Sequence, residues 1–408
     1  MKIQQIRSQF PKLCSSKEIH LDGPGGTQVP QTVIDGICNY LIHSNANLGA
    51  PFRTSKESDE LFIKARNVFQ EFFNSPSNEG IIFGNNMTSL TMHFSRCMAT
   101  LLKPNDKILV TNLDHEANIS PWQLLAQDIG CTAEMVKIHP ETCELNLSDL
   151  KEKIKAKPKI VAFTGASNAV GSVNLIKEIT ELAHQNGALT YVDAVHLSPH
   201  RLLNIQDWDA DFVICSAYKF FGPHLGIAYA KPEILNQLKP YKVRPASDAN
   251  PYKWMTGTQN HEGIAGAINA VLYLASLGST DHLQPLRSRL ELAYNMIEKH
   301  EASLAQRFLE KIWANNSYKV LGYSEPTFKN NKVSTFSIQC LSKNPRSVAQ
   351  ELANRNIFAY SGNFYAKSLL ETLGLDQAGG VLRIGFVHYN TLEEVDQTIE
   401  ALAEISSR

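Results

Sequence analysis

The sequence predicts an α/β protein in which a large, doubly wound, mostly parallel sheet domain is followed by a smaller α+β domain. Three observations carry that prediction. Runs such as KIVAFT (159–164) and ALTYVD (188–193) are almost continuously apolar, as strands buried on both faces of a parallel sheet are. The segments between such runs have helical apolar spacing and often close near glycine; residues 175–186, for example, give way to Gly187 and then to a strand. After about residue 270 the alternation stops, and longer, charge-rich helical patterns take over.

In chain order, the spacing predicts large-domain strands at 80–84, 107–112, 133–138, 159–164, 188–193, 211–216 and 226–230. Helix is expected over 264–277 and on through Leu309, then strands at 333–339 and 381–386, and a terminal helix over 392–405. The large domain is assigned to 21–275 and the small one to 276–408, with residues 1–20 expected to fold against the small domain.

A chain of 408 residues that is 43% hydrophobic can bury cores for both domains. A net charge of −1 leaves no basic footprint for nucleic acid or an anionic membrane. No apolar run is long enough to span a bilayer. The seven cysteines are dispersed and include no CxxC pair, which reads as reduced thiols. The polar start of mixed charge does not read as a secretory signal, so a soluble, cytoplasmic protein is expected. No His/Cys/Asp grouping has metal-ligand spacing, and DHE (114–116) has no second close partner, so no metal is expected.

Ligands of open α/β sheets sit beyond the carboxyl ends of the strands. The residues there are Asn85 and Asn86, Asp114 with His115, Asn168, Asp193 with His196, and Ser216 through Lys219. So complete a polar ring favours a polar ligand. Lys219 follows an apolar strand and precedes Phe-Phe-Gly-Pro; desolvation there frees its amine to attack a carbonyl. A surface lysine in a turn is the bland alternative, but it leaves the neighbours unexplained. Asp193 suits the protonated ring nitrogen of pyridoxal phosphate, although a turn or N-cap aspartate also fits. Asn85 and Asn86 open a helix where a phosphate can sit, with Ser216 and Tyr218 adding hydroxyls; a plain N-cap explains the asparagines equally well. His115 can stack on a flat ring or serve structurally. No GxGxxG or Walker loop follows any strand, which sets a nucleotide site aside.

With these residues in order, the chain resembles the class V aminotransferase family of fold-type I pyridoxal-phosphate enzymes, in its cysteine desulfurase and selenocysteine lyase branch. The likeness runs from about Leu21 to near the C-terminus. It is strongest in YVDAVHLSPH and DFVICSAYKFFGPHLGIAY, with LDHEANISPW, GASNAVGSVN, GTQNHEGIAG and LRIGFVHYNT matching in order. The resemblance implies an internal aldimine on Lys219, which then shuttles protons, Asp193 on the pyridine nitrogen and His196 on the phenolic oxygen. It implies His115 stacked over the ring, and Asn85, Asn86, Ser216 and Tyr218 on the phosphate, joined by Thr258 of a second subunit in a homodimer. Asn168 and Arg383 would position an amino-acid substrate.

Two departures stand out. The family's lysine usually follows a histidine, where this chain has Tyr218, whose hydroxyl can still reach a phosphate. Desulfurases carry a loop cysteine that accepts sulfur, and Tyr365 stands at the matching place in IFAYSGNFYAKSLL. No cysteine lies between Leu341 and Arg408, and a phenol does not accept sulfur as a thiolate does. Cys340 is the nearest thiol in sequence, and core packing is the simpler reading of it. These features favour a thiol-independent elimination of the selenocysteine lyase kind on a small amino acid. Transamination, epimerisation and a non-catalytic cofactor-binding scaffold are the alternatives. Asn363 and Tyr365 are expected on the substrate side, with specificity also set near Tyr360, Gly25 and Gln28.

Overall fold

The computed structural model of the protein describes residues 2–407. The large sheet has seven strands: β1 (Ile81–Gly84), β2 (Lys107–Thr111), β3 (Thr132–Val136), β4 (Ile160–Thr164), β5 (Leu189–Asp193), β6 (Phe212–Ser216) and β7 (Gly226–Ala230). Their spatial order is β1-β7-β6-β5-β4-β2-β3. Every neighbouring pair is parallel except those made by β7, which runs antiparallel to both β1 and β6. Chain length explains that reversal. A parallel crossover needs about a dozen residues or more, and only residues 217–225 join β6 to β7. Lys219 therefore sits in a tight return at the sheet's carboxyl edge.

All five residues of β4 and of β6 are buried, as their continuous apolar character requires. The helices Gln31–His43 and Arg53–Phe73 precede the sheet, and His261–Gly278 packs against both and against Leu286–Ile312. The small domain carries a four-stranded antiparallel sheet of β8 (Tyr318–Val320), β9 (Thr335–Cys340), β10 (Tyr360–Gly362) and β11 (Val381–Gly385), in the order β8-β9-β11-β10.

Helix Leu286–Ile312 serves both cores. Leu290, Tyr294 and Ile297 join the large one, while Leu304, Phe308 and Ile312 join the small one, so its apolar side chains change partners between Ile297 and Leu304. The N-terminal segment, expected against the small domain, divides in the same way. Phe10 packs edge-on against Phe221 and Tyr273 of the large domain and against Tyr389. Ile19 and His20 then pair in parallel with Ile357 and Phe358. A large apolar ring is best buried where several aromatic edges meet, and that place is the seam between the domains.

Candidate active site

The carboxyl ends of the large-sheet strands open on a cavity of about 1020 Å³, closed from the other side by β10, β11 and the 363–365 loop. That is the crevice where open α/β sheets bind ligands. Of the residues expected there, Asn86, His115, Asn168, Asp193, His196, Ser216, Tyr218, Lys219, Tyr365 and Arg383 line it.

Lys219 donates from Nζ to the Pro24 carbonyl, and its Nζ lies 4.8 Å from the centre of the Tyr218 ring. Burial, aided by the Arg383 charge, lowers its pKa to about 7 against the pull of Asp193. Asp193 ends β5 and accepts from the Val195 amide at 2.9 Å. Burial raises its pKa to about 6, while Val195 and Lys219 act against the rise. His115 accepts from the Ala117 amide at Nδ1, 2.9 Å, which places its proton on Nε2. Burial first, then the Lys219 and Arg383 charges, push its pKa to about 4, so the imidazole is neutral.

Arg383 is nearly buried, yet it makes no ion pair among the described residues. Its Nη1 donates to the Asn168 carbonyl at 2.9 Å, and its guanidinium lies 4.1 Å from the centre of the Phe364 ring. Burial lowers its pKa to about 10, which leaves it a cation. Asn168 donates through Nδ2 to the Phe364 carbonyl at 2.9 Å, while its buried Oδ1 has no partner. A desolvated cation and an unpaired acceptor in one cavity cost free energy that a ligand's anion and donor relieve.

The 363–365 loop is pinned over the cavity. Phe364 and Tyr365 both have left-handed backbones, with φ of 55° and 57°, which cost about 1–2 kcal/mol each for such residues. The loop holds because the Glu116 amide donates to the Tyr365 carbonyl at 2.7 Å and Tyr365 stacks on His115, centroids 5.3 Å apart.

Three expected residues lie elsewhere. Asn363 does not line the cavity; its amide donates to Asp376 at 2.9 Å and its Oδ1 accepts from Tyr365, shaping the turn that presents Tyr365. Asn85 is exposed beside the cavity, and Thr258 lines a separate cleft with Asn47 and Tyr252. The Asn86 side chain caps helix Met87–Met98 in a capping box with Ser89, so its N-cap role is realised. The Ser216 hydroxyl accepts from the Met87 amide at 3.0 Å. Thr88, Glu116 and Phe364 line the cavity as well and were missed from sequence; Glu116 was visible beside His115, while the other two depend on how helix and loop turn.

No cysteine lines the cavity among the described residues. Cys340 packs against the small core, and burial pushes its thiol up to about 12. No group of three or more His, Cys, Asp or Glu that could hold a metal is found among the described residues, and no helix there is long and apolar enough to cross a membrane.

Comparison with known proteins identifies the family. Residues 19–398 match the family model described as Aminotransferase class-V. The chain is 32% identical over 415 residues to the aminotransferase-like protein FGM3 of Gibberella zeae, covering 98% of this chain and 97% of that one. It is 27% identical over 422 residues to a probable cysteine desulfurase of Mycolicibacterium paratuberculosis, covering 99% of this chain and 58% of the relative's length. The apo cysteine desulfurase of Thermococcus onnurineus superposes with a TM-score of 0.88 at 24% identity, over 99% of this chain and 98% of that one, a likeness of fold. The chain belongs to the aminotransferase class-V family of fold-type I enzymes, whose cofactor is pyridoxal 5′-phosphate.

Proposed function

We propose that this enzyme acts on a small amino acid at the Lys219 cavity by chemistry that needs no thiol, with a selenocysteine lyase-like elimination favoured over persulfide-forming desulfuration. The observation that carries the reading is the wall where a sulfur acceptor would stand: Tyr365 stacked on His115, and no cysteine among the described lining residues.

The residues fit the cofactor. Asp193 is a buried carboxylate without an ion-pair partner among the described residues, suited to a cationic ring nitrogen. Neutral His115 suits the ring face, and His196 the phenolic oxygen. The start of helix Met87–Met98, with Thr88, Ser216 and Tyr218, suits the phosphate. Bound there, pyridoxal phosphate supplies an aldehyde for amines and a ring that draws electrons from the substrate's α-carbon.

The protein's own groups do the rest. Lys219 would hold the cofactor, and its amine, with a pKa lowered to about 7 by burial, would take and return protons at the substrate carbons. Arg383 clamps the substrate carboxylate, with Asn168 beside it. The Phe364 ring lies against the Arg383 guanidinium at that end. Asn86 and Thr88 are exposed at the phosphate end, which supports a homodimer whose second copy brings Thr258 there. The seven free cysteines suit a reducing cytoplasm.

The test is an amino-acid panel with product analysis. Alanine and elemental selenium from selenocysteine, with little turnover of cysteine, is the expected result; a persulfide on the enzyme during cysteine turnover contradicts it. Transamination or epimerisation on the same scaffold also needs no thiol, and keto acid or the inverted amino acid would be its product. A non-catalytic scaffold would have no use for Lys219, Asp193 and Arg383 together.

A further inference from the structure

Glu301 lies on the small-domain half of helix Leu286–Ile312 and is only 3% exposed. Its Oε2 is 2.7 Å from His200 Nδ1 and accepts the Ser334 hydroxyl at 3.1 Å, while its buried Oε1 has no partner. His200 packs edge-on against His196, with ring centroids 5.1 Å apart. The Nε2 of His196 is 2.9 Å from the hydroxyl of Thr335, the residue after Ser334. The contacts thus close a circuit through Glu301, His200, His196, Thr335 and Ser334.

The same helix face grips the turn after β5 at two further points. Tyr294 donates its hydroxyl to the Ser198 carbonyl at 2.6 Å, and Glu298 pairs with Arg201. Tyr294, Glu298 and Glu301 are spaced by four and three residues, so they share one face. That face holds a turn whose first residues are Asp193 and His196. Replacing both partners of a buried hydrogen bond with apolar groups of similar shape is often nearly neutral, so stability alone does not explain this pair. A half-satisfied buried carboxylate points instead to a demand on geometry.

We propose that Glu301 is a positioning residue: acting from the other domain through His200 and through Ser334–Thr335, it fixes the His196 ring against the cofactor. The inference rests on the reading of the Lys219 cavity as the pyridoxal-phosphate site. Its test uses cofactor-loaded wild type, Glu301→Leu and Glu301→Gln, and reads the cofactor's visible absorbance band, the Kd for pyridoxal phosphate and the melting temperature. Glu301→Leu is expected to shift the band and weaken cofactor binding about tenfold, as loss of a supporting partner does, while still unfolding cooperatively. Glu301→Gln keeps an acceptor for His200 and Ser334 and is expected to retain the wild-type band. Should Glu301→Leu fail to fold, Thr335→Val removes only the hydroxyl partner of His196 and carries the same expectation. An unchanged band and Kd in the folded variant overturns the proposal, as does an equal shift in the Gln and Leu variants. Wild type that takes up no cofactor overturns the reading of the cavity, and the role of Glu301 with it. Coloured wild type beside an unchanged Glu301→Leu overturns the role of Glu301 alone.

Discussion

The role proposed for Lys219 makes two demands that conflict in water, since an amine that attacks a carbonyl must be neutral near pH 7, where a free lysine is a cation. Burial and the Arg383 charge resolve the conflict by lowering its pKa to about 7. The sign follows directly: below about 7 the amine is protonated and inert, and above it the neutral form prevails. Stopped-flow uptake of pyridoxal phosphate by the cofactor-free protein should therefore speed up through pH 7 and level off above it, some three units below an ordinary lysine. A rise that continues to pH 10 contradicts the assignment. Arg383 makes a second prediction. Losing one charge-assisted hydrogen bond of about 1.5–3 kcal/mol should raise KM for the amino acid about ten- to hundredfold in Arg383→Lys, with the cofactor still bound. Lys219 was legible in sequence because the ends of the large-sheet strands face the crevice whatever the loops do, whereas Arg383, in the middle of β11, was named only through the family resemblance. Asn363 was not legible, because which of three consecutive loop side chains faces the cavity depends on the left-handed turn at Phe364 and Tyr365.

The elements repeat that contrast. The strands were readable because burial on both faces writes a continuous apolar run. The reversal of β7 lay in the length of its connection. Helix Arg53–Phe73 was missed because its first turns are charged and its buried Phe69, Phe72 and Phe73 crowd the last. One contact between elements is sharply testable. A Cβ on Gly226, the first residue of β7, would lie 2.5 Å from the backbone carbonyl carbon of Asn86, the N-cap of the helix proposed to hold the phosphate. Gly226→Ala should push that helix start away, lowering stability by about 1–3 kcal/mol and weakening cofactor binding, as overpacking against rigid backbone does. Denaturant melts and a cofactor titration would check it. The 363–365 loop offers another test: Tyr365→Cys should place a thiol against the cavity, readable as a persulfide after incubation with cysteine, where wild type forms none.

At the scale of the whole molecule, Thr258 lines a cleft separate from its own chain's cavity, and Asn86 and Thr88, at the end of that cavity proposed for the phosphate, are exposed. One sequence cannot report a neighbour's residue, so the proposed role of Thr258 comes only through family resemblance. A shared site predicts subunit complementation. Mixed dimers of Lys219→Ala and Thr258→Val pair an intact lysine with an intact threonine in one of two sites, so a random mixture should recover about a quarter of wild-type activity. Recovery no greater than the sum of the separate variants contradicts sharing. Everything else, from the pinned loop to the Glu301 circuit, presupposes one covalent event at one residue. Borohydride reduction of the protein loaded with pyridoxal phosphate, followed by peptide mass mapping, measures that event directly. The phosphopyridoxyl group should appear on the peptide containing Lys219 and disappear in Lys219→Ala, whereas a label on another lysine, or none, contradicts the account.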